Sequence, residues 1–375
     1  MKILFPFVGD SVGGSHLSSI ELYKILIEKG YDVIVTLHNG KGPLSKLLKE
    51  YGIDYYEIDT SFLAGDSPNK VLIILGVLKN ILPLVRFIKK HKIDIVHGND
   101  LRIKLTWSIP AKLSGAQLVW HQRTILSRSS VWKIIPFLCN HFIATSESVL
   151  KSTPKTFDKR KISLIYNPFE TDKNYDFQES RREIIDRFNI RSDAIVFGYV
   201  GRLVGYKNID FLIRCFEELV FIHKKRVHLL VIGTGDRDYS EALVNMVDSA
   251  GLDESITFCG FISRPLKLIC GMDVVVASST IDAFGRTLVE AMLQSTTVIA
   301  SDKGGHLEIV EDGSTGLLYK ANDKESFVQN ALMLIEEESL RERLSEEGLK
   351  RNIERFSKEK HYLAVEKVYK TLTES

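Results

Sequence analysis

The chain has 375 residues, 44% of them apolar and 26% charged, with a net charge of +2. That length is too great for one ordinary core and points to two domains. The composition is that of a soluble globular protein, not a disordered or fibrous one. The four cysteines, Cys139, Cys215, Cys259 and Cys270, show no C-x-x-C and no metal-ligand spacing, so they are expected to be buried thiols in a reducing compartment.

The charge is uneven. Residues 1–165 carry 23 Lys and Arg against 13 Asp and Glu, an excess of ten positive charges; the remainder carries 27 against 35, an excess of eight negative ones. A basic first half suits an anionic membrane face or an anionic acceptor, and plain surface charge accounts for it equally well. Without an RNA-binding aromatic signature or zinc-finger spacing, nucleic acid is not an expected partner.

The opening Met1–Asp10 is too short an apolar run for a signal peptide, and Lys2–Val8 reads as a first strand. The loop G-D-S-V-G-G-S-H then enters a helix over about Ser15–Lys29, with Leu17, Ile20, Leu22, Ile25 and Leu26 as its buried side. Its spacing is not G-x-G-x-x-G, which argues against a dinucleotide fold. Gly13 and Gly14 leave the backbone open at a helix N-terminus, a place for phosphate or sugar; a turn that merely needs glycine to bend is the alternative.

Strands are expected at Asp32–Leu37, Ile53–Ile58, Ile93–His97, Gln117–Trp120 and His141–Thr145. Helices alternate with them near Leu44–Tyr51, Asn69–His91, Leu101–Leu113 and Val131–Cys139. This alternation predicts a doubly wound parallel sheet. Val71–Ile88 is the most apolar stretch, but Lys79, Asn80, Pro83 and Arg86 exclude a membrane span. With Lys89-Lys90-His91-Lys92 behind it, it is either a basic amphipathic surface or, the reading the pattern favours, a helix packed on the sheet. Ser130–Leu138 is an acceptor-side patch or core. His97 closes I-D-I-V-H and His121 closes Q-L-V-W-H, at the edge where parallel sheets bind ligands. A neutral imidazole can donate to and accept from hydroxyls; the alternative is a ring that caps its own strand end. Arg123 is assigned to an acidic acceptor.

Ile162–Tyr166 reads as the last strand of the first sheet, and Asn167-Pro168-Phe169-Glu170 with the polar Thr171–Glu179 as the boundary. The pattern then restarts. Ala194–Val200 is a strand followed by G-R-L-V-G-Y-K-N, and a helix begins at Asn208 or a neighbour and runs to about Phe221. Arg202 and Lys207 stand together on that loop, where two cations can clamp a leaving diphosphate. Val227–Ile232 leads into Gly233-Thr234-Gly235-Asp236, and Ile256–Phe258 into Cys259-Gly260-Phe261.

The stretch from Met272 to Gly305 carries most of the chemistry. M-D-V-V-V-A is a buried strand, Ser278–Gly285 a loop, and a helix begins near Arg286 with Leu288, Val289, Met292 and Leu293 on its apolar face; Thr297–Ala300 and a Gly-Gly turn follow. Gly285 lets a ligand approach the backbone. The amides of Phe284, Gly285, Arg286, Thr287 and Leu288 form an anion site, and the Glu290 carboxylate suits two neighbouring hydroxyls. Asp312–Tyr319 reads as a turn and short strand. Charged helices run from Asp323 onward, the last over Ser357–Leu372, crossing back to the first domain.

The run D-A-F-G-R-T-L-V-E-A-M, followed by V-I-A-S-D-K-G-G, resembles the retaining glycosyltransferases of family 4, the group 1 glycosyltransferases. Their mark is an acid, seven residues and then Glu, around F-G and before E-A-M. Three departures stand out. Asp282 replaces the usual Glu and is shorter by one carbon–carbon bond, about 1.5 Å; Asn208 replaces the glycine after Lys207; and Asn-Pro-Phe-Glu stands in for N-G-V/I-D at the crossover.

The resemblance implies a GT-B α/β fold: two Rossmann-like doubly wound domains facing a cleft. Residues 1–170 with the last helix at about 357–375 form the acceptor side, and 171–356 bind the nucleotide sugar. It implies a retaining transfer of sugar from a nucleotide diphosphate, UDP- or GDP-linked, to a hydroxyl of a glycan or lipid-linked acceptor, in bacterial surface polysaccharide or lipopolysaccharide assembly. Arg202, Lys207 and the amides of 284–288 would hold the diphosphate, Glu290 the ribose, Asp282 hydroxyls of the sugar and His121 its reacting side. His97 would lie nearer the acceptor, with Gly13 and Gly14 facing the donor and Gly233 bordering the base. No cofactor and no metal is expected, and the protein is placed in the cytoplasm, with peripheral contact to the inner membrane face. A nucleotide-sugar epimerase of the same fold and a degenerate nucleotide-sugar-binding protein are the alternatives.

Overall fold

The computed structural model describes residues 1–58, 60, 63, 70–126, 134–171, 175–223 and 226–374. The chain divides into two compact units, Met1–Phe169 with Lys358–Ser375, and Glu170–Ser357.

The first unit holds β1 (Lys2–Phe7), β2 (Asp32–Leu37), β3 (Tyr56–Glu57), β4 (Ile95–Gly98), β5 (Gln117–Gln122), β6 (His141–Ala144) and β7 (Ile162–Leu164). They form one parallel sheet in the order β3-β2-β1-β4-β5-β6-β7. Strand order reverses between β1 and β4. Ile3, Leu4 and Phe5 are wholly buried, as expected of a central strand covered on both faces. The last helix, Lys358–Thr373, belongs to this unit: Tyr362, Val365, Val368 and Tyr369 join the core of Ile20, Leu22, Ile25 and Leu26 from the helix Gly14–Glu28.

The second unit holds β8 (Ile195–Val200), β9 (Val227–Ile232), β10 (Ile256–Gly260), β11 (Val274–Ala277), β12 (Thr297–Ser301) and β13 (Leu317–Tyr319), again parallel, in the order β10-β9-β8-β11-β12-β13. The reversal here falls between β8 and β11. Their residues Phe197, Leu229, Val231, Val274 and Ile299 form the core with Leu212, Phe216 and Leu219 of the helix Ile209–His223.

Several elements differ from expectation. The expected strand Ile53–Ile58 shrinks to two residues. β5 continues through His121 and Gln122, so His121 lies inside its strand, not beyond it. In the first helix Leu17 is only partly buried, and His16, Ser18 and Ser19 take inner positions. The helix expected to begin at Asn208 or a neighbour begins at Ile209, and Asn208 itself sits at φ +58°, closing a short turn over Gly205–Lys207. That left-handed conformation is the one Gly and Asn tolerate best, so asparagine fits where the pattern of the resemblance has glycine. Cys139, Cys215 and Cys270 are buried, while Cys259 is half-buried.

The helix Lys70–His91 contains Pro83, and among the described residues no helix is long and apolar enough to cross a membrane. Of the patch Ser130–Leu138, residues 130–133 lie outside the described residues, as do Asn69 and residues 172–174 of the boundary; a short helix, Ile135–Leu138, is what the patch shows.

Candidate active site

In the second unit the expected residues converge at the β8/β11 reversal, where open parallel sheets bind ligands. The loop after β8 brings Arg202, Tyr206 and Lys207; the loop after β11 brings Asp282. Ser278 Oγ donates to the Lys207 carbonyl at 2.7 Å, and the Thr280 amide to the Tyr206 carbonyl at 3.0 Å, so the two loops are fastened together. Arg202 Nη2 donates to Tyr206 Oη at 2.6 Å, while Lys207 Nζ lies 2.5 Å from Asp282 Oδ2.

Asp282 is held from several sides. The Phe284 amide donates to its Oδ1 at 3.2 Å, Ser279 Oγ to its Oδ2 at 3.4 Å, and His306 Nε2 lies 3.7 Å from Oδ2, too far for a hydrogen bond but close enough to act electrostatically. Burial alone would raise this carboxyl; His306 and the Lys207 ammonium outweigh it and hold the group well below the ordinary carboxylate range. The Gly-Gly turn explains how the loop is packed. A Cβ on Gly304, at φ +56°, would lie 2.1 Å from the Asp282 carbonyl oxygen, and one on Gly305 would lie 2.3 Å from that of Phe284.

The helix Arg286–Leu293 starts from Gly285, at φ +99°. Thr287 Oγ1 donates to the Val200 carbonyl at 3.1 Å and ties the helix start to the end of β8. Among the amides expected to meet an anion, that of Phe284 is engaged on Asp282 and that of Leu288 on the Gly285 carbonyl at 3.0 Å. Glu290 is paired with Arg286 at 3.0 Å, both largely shielded. A ligand on Glu290 therefore competes with, or adds to, this pair. Gly233, at φ +142°, packs on the Gly201 carbonyl, where a Cβ would come within 1.8 Å.

In the first unit, β4 and β5 place His97 and His121 side by side. His97 Nε2 lies 3.0 Å from His121 Nδ1, and Tyr369 Oη lies 2.6 Å from His97 Nδ1. His97 is wholly buried with both ring nitrogens occupied, so in this arrangement it supports His121 and does not meet an acceptor. Arg123 is also committed, donating to Asn99 Oδ1 at 2.8 Å, to Asn167 Oδ1 and to His121 Nδ1 at 3.3 Å; it braces the strand end instead of standing ready for an acidic acceptor. Burial, then Arg123, pushes both imidazoles well below their ordinary range, so they are neutral. Lys104 Nζ, buried beneath them, donates to the His121 carbonyl at 3.1 Å and to Gln122 Oε1 at 2.9 Å.

Gly13 precedes the first turn of the helix that Gly14 opens. Its backbone is extended, and a Cβ there would meet nothing within 4 Å. Neither packing nor bending requires glycine at this position. The Gly13 amide donates to His16 Nδ1 at 3.1 Å, the capping contact usually made by Glu or Gln three residues into a helix.

Sequence reasoning missed His306, Tyr206, His16, Asn99, Asn167, Lys104 and Tyr369. Two had a signal: His306 follows the quoted Gly-Gly turn, and His16 sits at the capping position. Tyr206 acts on Arg202 only four residues away, without a pattern that marks it, and the others act across longer separations.

The family described as "Glycosyl transferases group 1" matches residues 180–351, and that described as "Glycosyltransferase Family 4" matches residues 12–173. The chain belongs to the group 1, family 4 glycosyltransferases. The capsular polysaccharide biosynthesis glycosyltransferase CapM of Staphylococcus aureus is 25% identical over 368 residues, 93% of this chain and 92% of that protein. The uncharacterized glycosyltransferase MJ1607 of Methanocaldococcus jannaschii is 29% identical over 226 residues; the match spans 57% of this chain and 56% of that protein, little more than half of each. The crystal structure of Anabaena Alr3699/HepE in complex with UDP and glucose shares the fold, with a TM-score of 0.86 at 22% identity over 98% of this chain and 99% of that one. The fold is accordingly GT-B.

Proposed function

We propose that this glycosyltransferase moves a sugar from a nucleotide diphosphate to a hydroxyl of a glycan or lipid-linked acceptor, with retention at the anomeric carbon, in the assembly of a bacterial surface polysaccharide or lipopolysaccharide. One observation carries the reading: Arg202 and Lys207, fixed by Tyr206 and Asp282, stand at the strand-order reversal of the second unit. Cations preorganised there stabilise the charge that grows on a leaving diphosphate. Glu290, one turn into the neighbouring helix, takes the ribose hydroxyls. Asp282 and His121 take hydroxyls of the sugar. The open space at Gly13 supports a donor contact, since the fold itself does not require glycine there. CapM is named for capsular polysaccharide biosynthesis, and HepE holds UDP and glucose.

The acceptor's proton goes to the leaving phosphate, which needs no protein base and no metal. The reading includes a peripheral membrane contact on the cytoplasmic side. Leu75, Leu78 and Leu82 are all more than half exposed on one face of the helix Lys70–His91, and Lys79, Arg86 and Lys89 project on the same side.

A thermal-shift screen over UDP- and GDP-linked sugars tests the donor. A true donor at about a hundred times its dissociation constant adds about 2.7 kcal/mol. NMR of the anomeric proton in the product then reads retention or inversion. No shift with any nucleotide sugar removes the donor reading, an inverted product removes retention, and product formed without an acceptor favours an epimerase.

A further inference from the structure

The contacts around His121 fix which of its nitrogens carries the proton. Tyr369 Oη, His97 and His121 form a continuous hydrogen-bonded row, closed off from solvent at every member. Such a row can run in either direction: protons donated from Tyr369 toward His121, or from His121 back toward Tyr369. Arg123 decides between them. A guanidinium has donors only, and Arg123 Nη2 faces His121 Nδ1 at 3.3 Å. That nitrogen must therefore present a lone pair. His97 then donates through Nε2, its Nδ1 is left as an acceptor, and the Tyr369 hydroxyl donates to it.

The remaining ring proton of His121 lies on Nε2. This nitrogen is buried and has no hydrogen-bond partner among the described residues. A buried donor left unmet costs about 1–3 kcal/mol, and such groups are retained where a ligand supplies the partner. One face of the ring stacks on His361, with centroids 5.8 Å apart and planes 17° apart, which fixes its plane.

We propose that Arg123, with the His97–Tyr369 row behind it, is a positioning residue that locks His121 as an Nε2–H donor to a hydroxyl oxygen of the sugar. In this form His121 orients a hydroxyl and has no lone pair at Nε2 with which to take a proton. The proposal rests on the reading of His121 as a sugar contact.

Two measurements test it. The first is 15N NMR of the substrate-free, histidine-labelled protein at pH 7. Both His97 and His121 are expected to show a pyridine-like Nδ1 and a pyrrole-like Nε2; a His121 protonated on Nδ1, or on both nitrogens, overturns the proposal. The second is Arg123→Met, which removes the donor facing His121 Nδ1 and leaves the contact between His97 and Tyr369 in place. The His121 signals are expected to lose their single-tautomer pattern, and kcat/KM for the donor sugar to fall about tenfold, the scale of one buried hydrogen bond. Affinity for the free nucleoside diphosphate, which has no sugar to meet His121, should stay unchanged. An unaltered kcat/KM, or an equal loss of nucleoside diphosphate affinity, overturns the positioning role. The NMR arm uses no substrate, so it decides the direction of the row even if the donor reading fails.

Discussion

Lys207 Nζ lies 2.5 Å from Asp282 Oδ2, with both side chains about four-fifths shielded from solvent. The carboxylate that departs from the family pattern is thus the partner of the lysine expected to meet the leaving group. A shorter acid here sits back against Lys207, the Phe284 amide and His306, so Asp282 fixes the cation.

Removing Lys207 strands a mostly buried carboxylate. Lys207→Met is expected to cost about 3 kcal/mol of stability, and the double variant Lys207→Met/Asp282→Leu substantially less, because breaking one side of a buried pair costs more than replacing both. Urea denaturation of the two variants checks this; a double variant less stable than the single one contradicts it.

Turnover should respond separately. Arg202→Ala and Lys207→Ala are each expected to reduce kcat by about 10²-fold or more, the scale of losing one donor to developing charge. Near-normal kcat in both variants takes them out of the mechanism.

Glu290 is expected to answer to binding more than to rate. Glu290→Ala should weaken the donor dissociation constant by about 10- to 100-fold, the range for hydrogen bonds to a charged group. Calorimetric titration with the nucleoside diphosphate reads it, and an unchanged constant rejects the ribose role.

Two glycines should behave in opposite ways. At Gly304 a methyl group meets the Asp282 carbonyl at 2.1 Å, at a φ of +56°. Gly304→Ala should therefore destabilise by more than about 2 kcal/mol, since the left-handed backbone alone costs about 1–2. At Gly13 the methyl group meets open space; Gly13→Ala should leave stability within about 0.5 kcal/mol while weakening donor use. Melting curves and donor KM for both variants separate the effects, and a Gly13→Ala protein with unaltered KM removes the glycine from the site.

Lys104 gives a pH signature. Burial pulls its ammonium down to about 7 in the folded protein from 10.5. Between those values the unfolded chain binds more protons, so this group makes stability rise with pH across the window, by up to about 1.4 kcal/mol per unit. Urea midpoints at pH 7 and 9 should show this contribution in the wild type and its loss in Lys104→Met. Identical pH dependence in the two proteins contradicts it.

Much of this was visible in the order of residues. Alternating β-branched runs and amphipathic helices define both sheets, and the Asp282–Glu290 stretch marks the site because its chemistry is local: a strand end, a glycine and a helix start. What escaped is non-local or depends on satisfied polar burial. β5 appeared to stop at Trp120 because His121 and Gln122 are polar; the fold keeps them inside by giving them Lys104, Arg123 and His97 as partners. Tyr369 reads as one more apolar position on a closing helix, and nothing near it in sequence points to His97. The helix start expected at Asn208 or a neighbour falls at Ile209, whereas the left-handed turn that Asn208 occupies has no local signal beyond a residue type that tolerates it.

The most direct measurement is a crystal structure of the protein soaked with a UDP- or GDP-linked sugar. The account predicts the diphosphate within hydrogen-bond reach of Arg202 and Lys207, and the ribose hydroxyls on Glu290. Well-defined nucleotide density on other residues, with Arg202, Lys207 and Glu290 untouched, would contradict it.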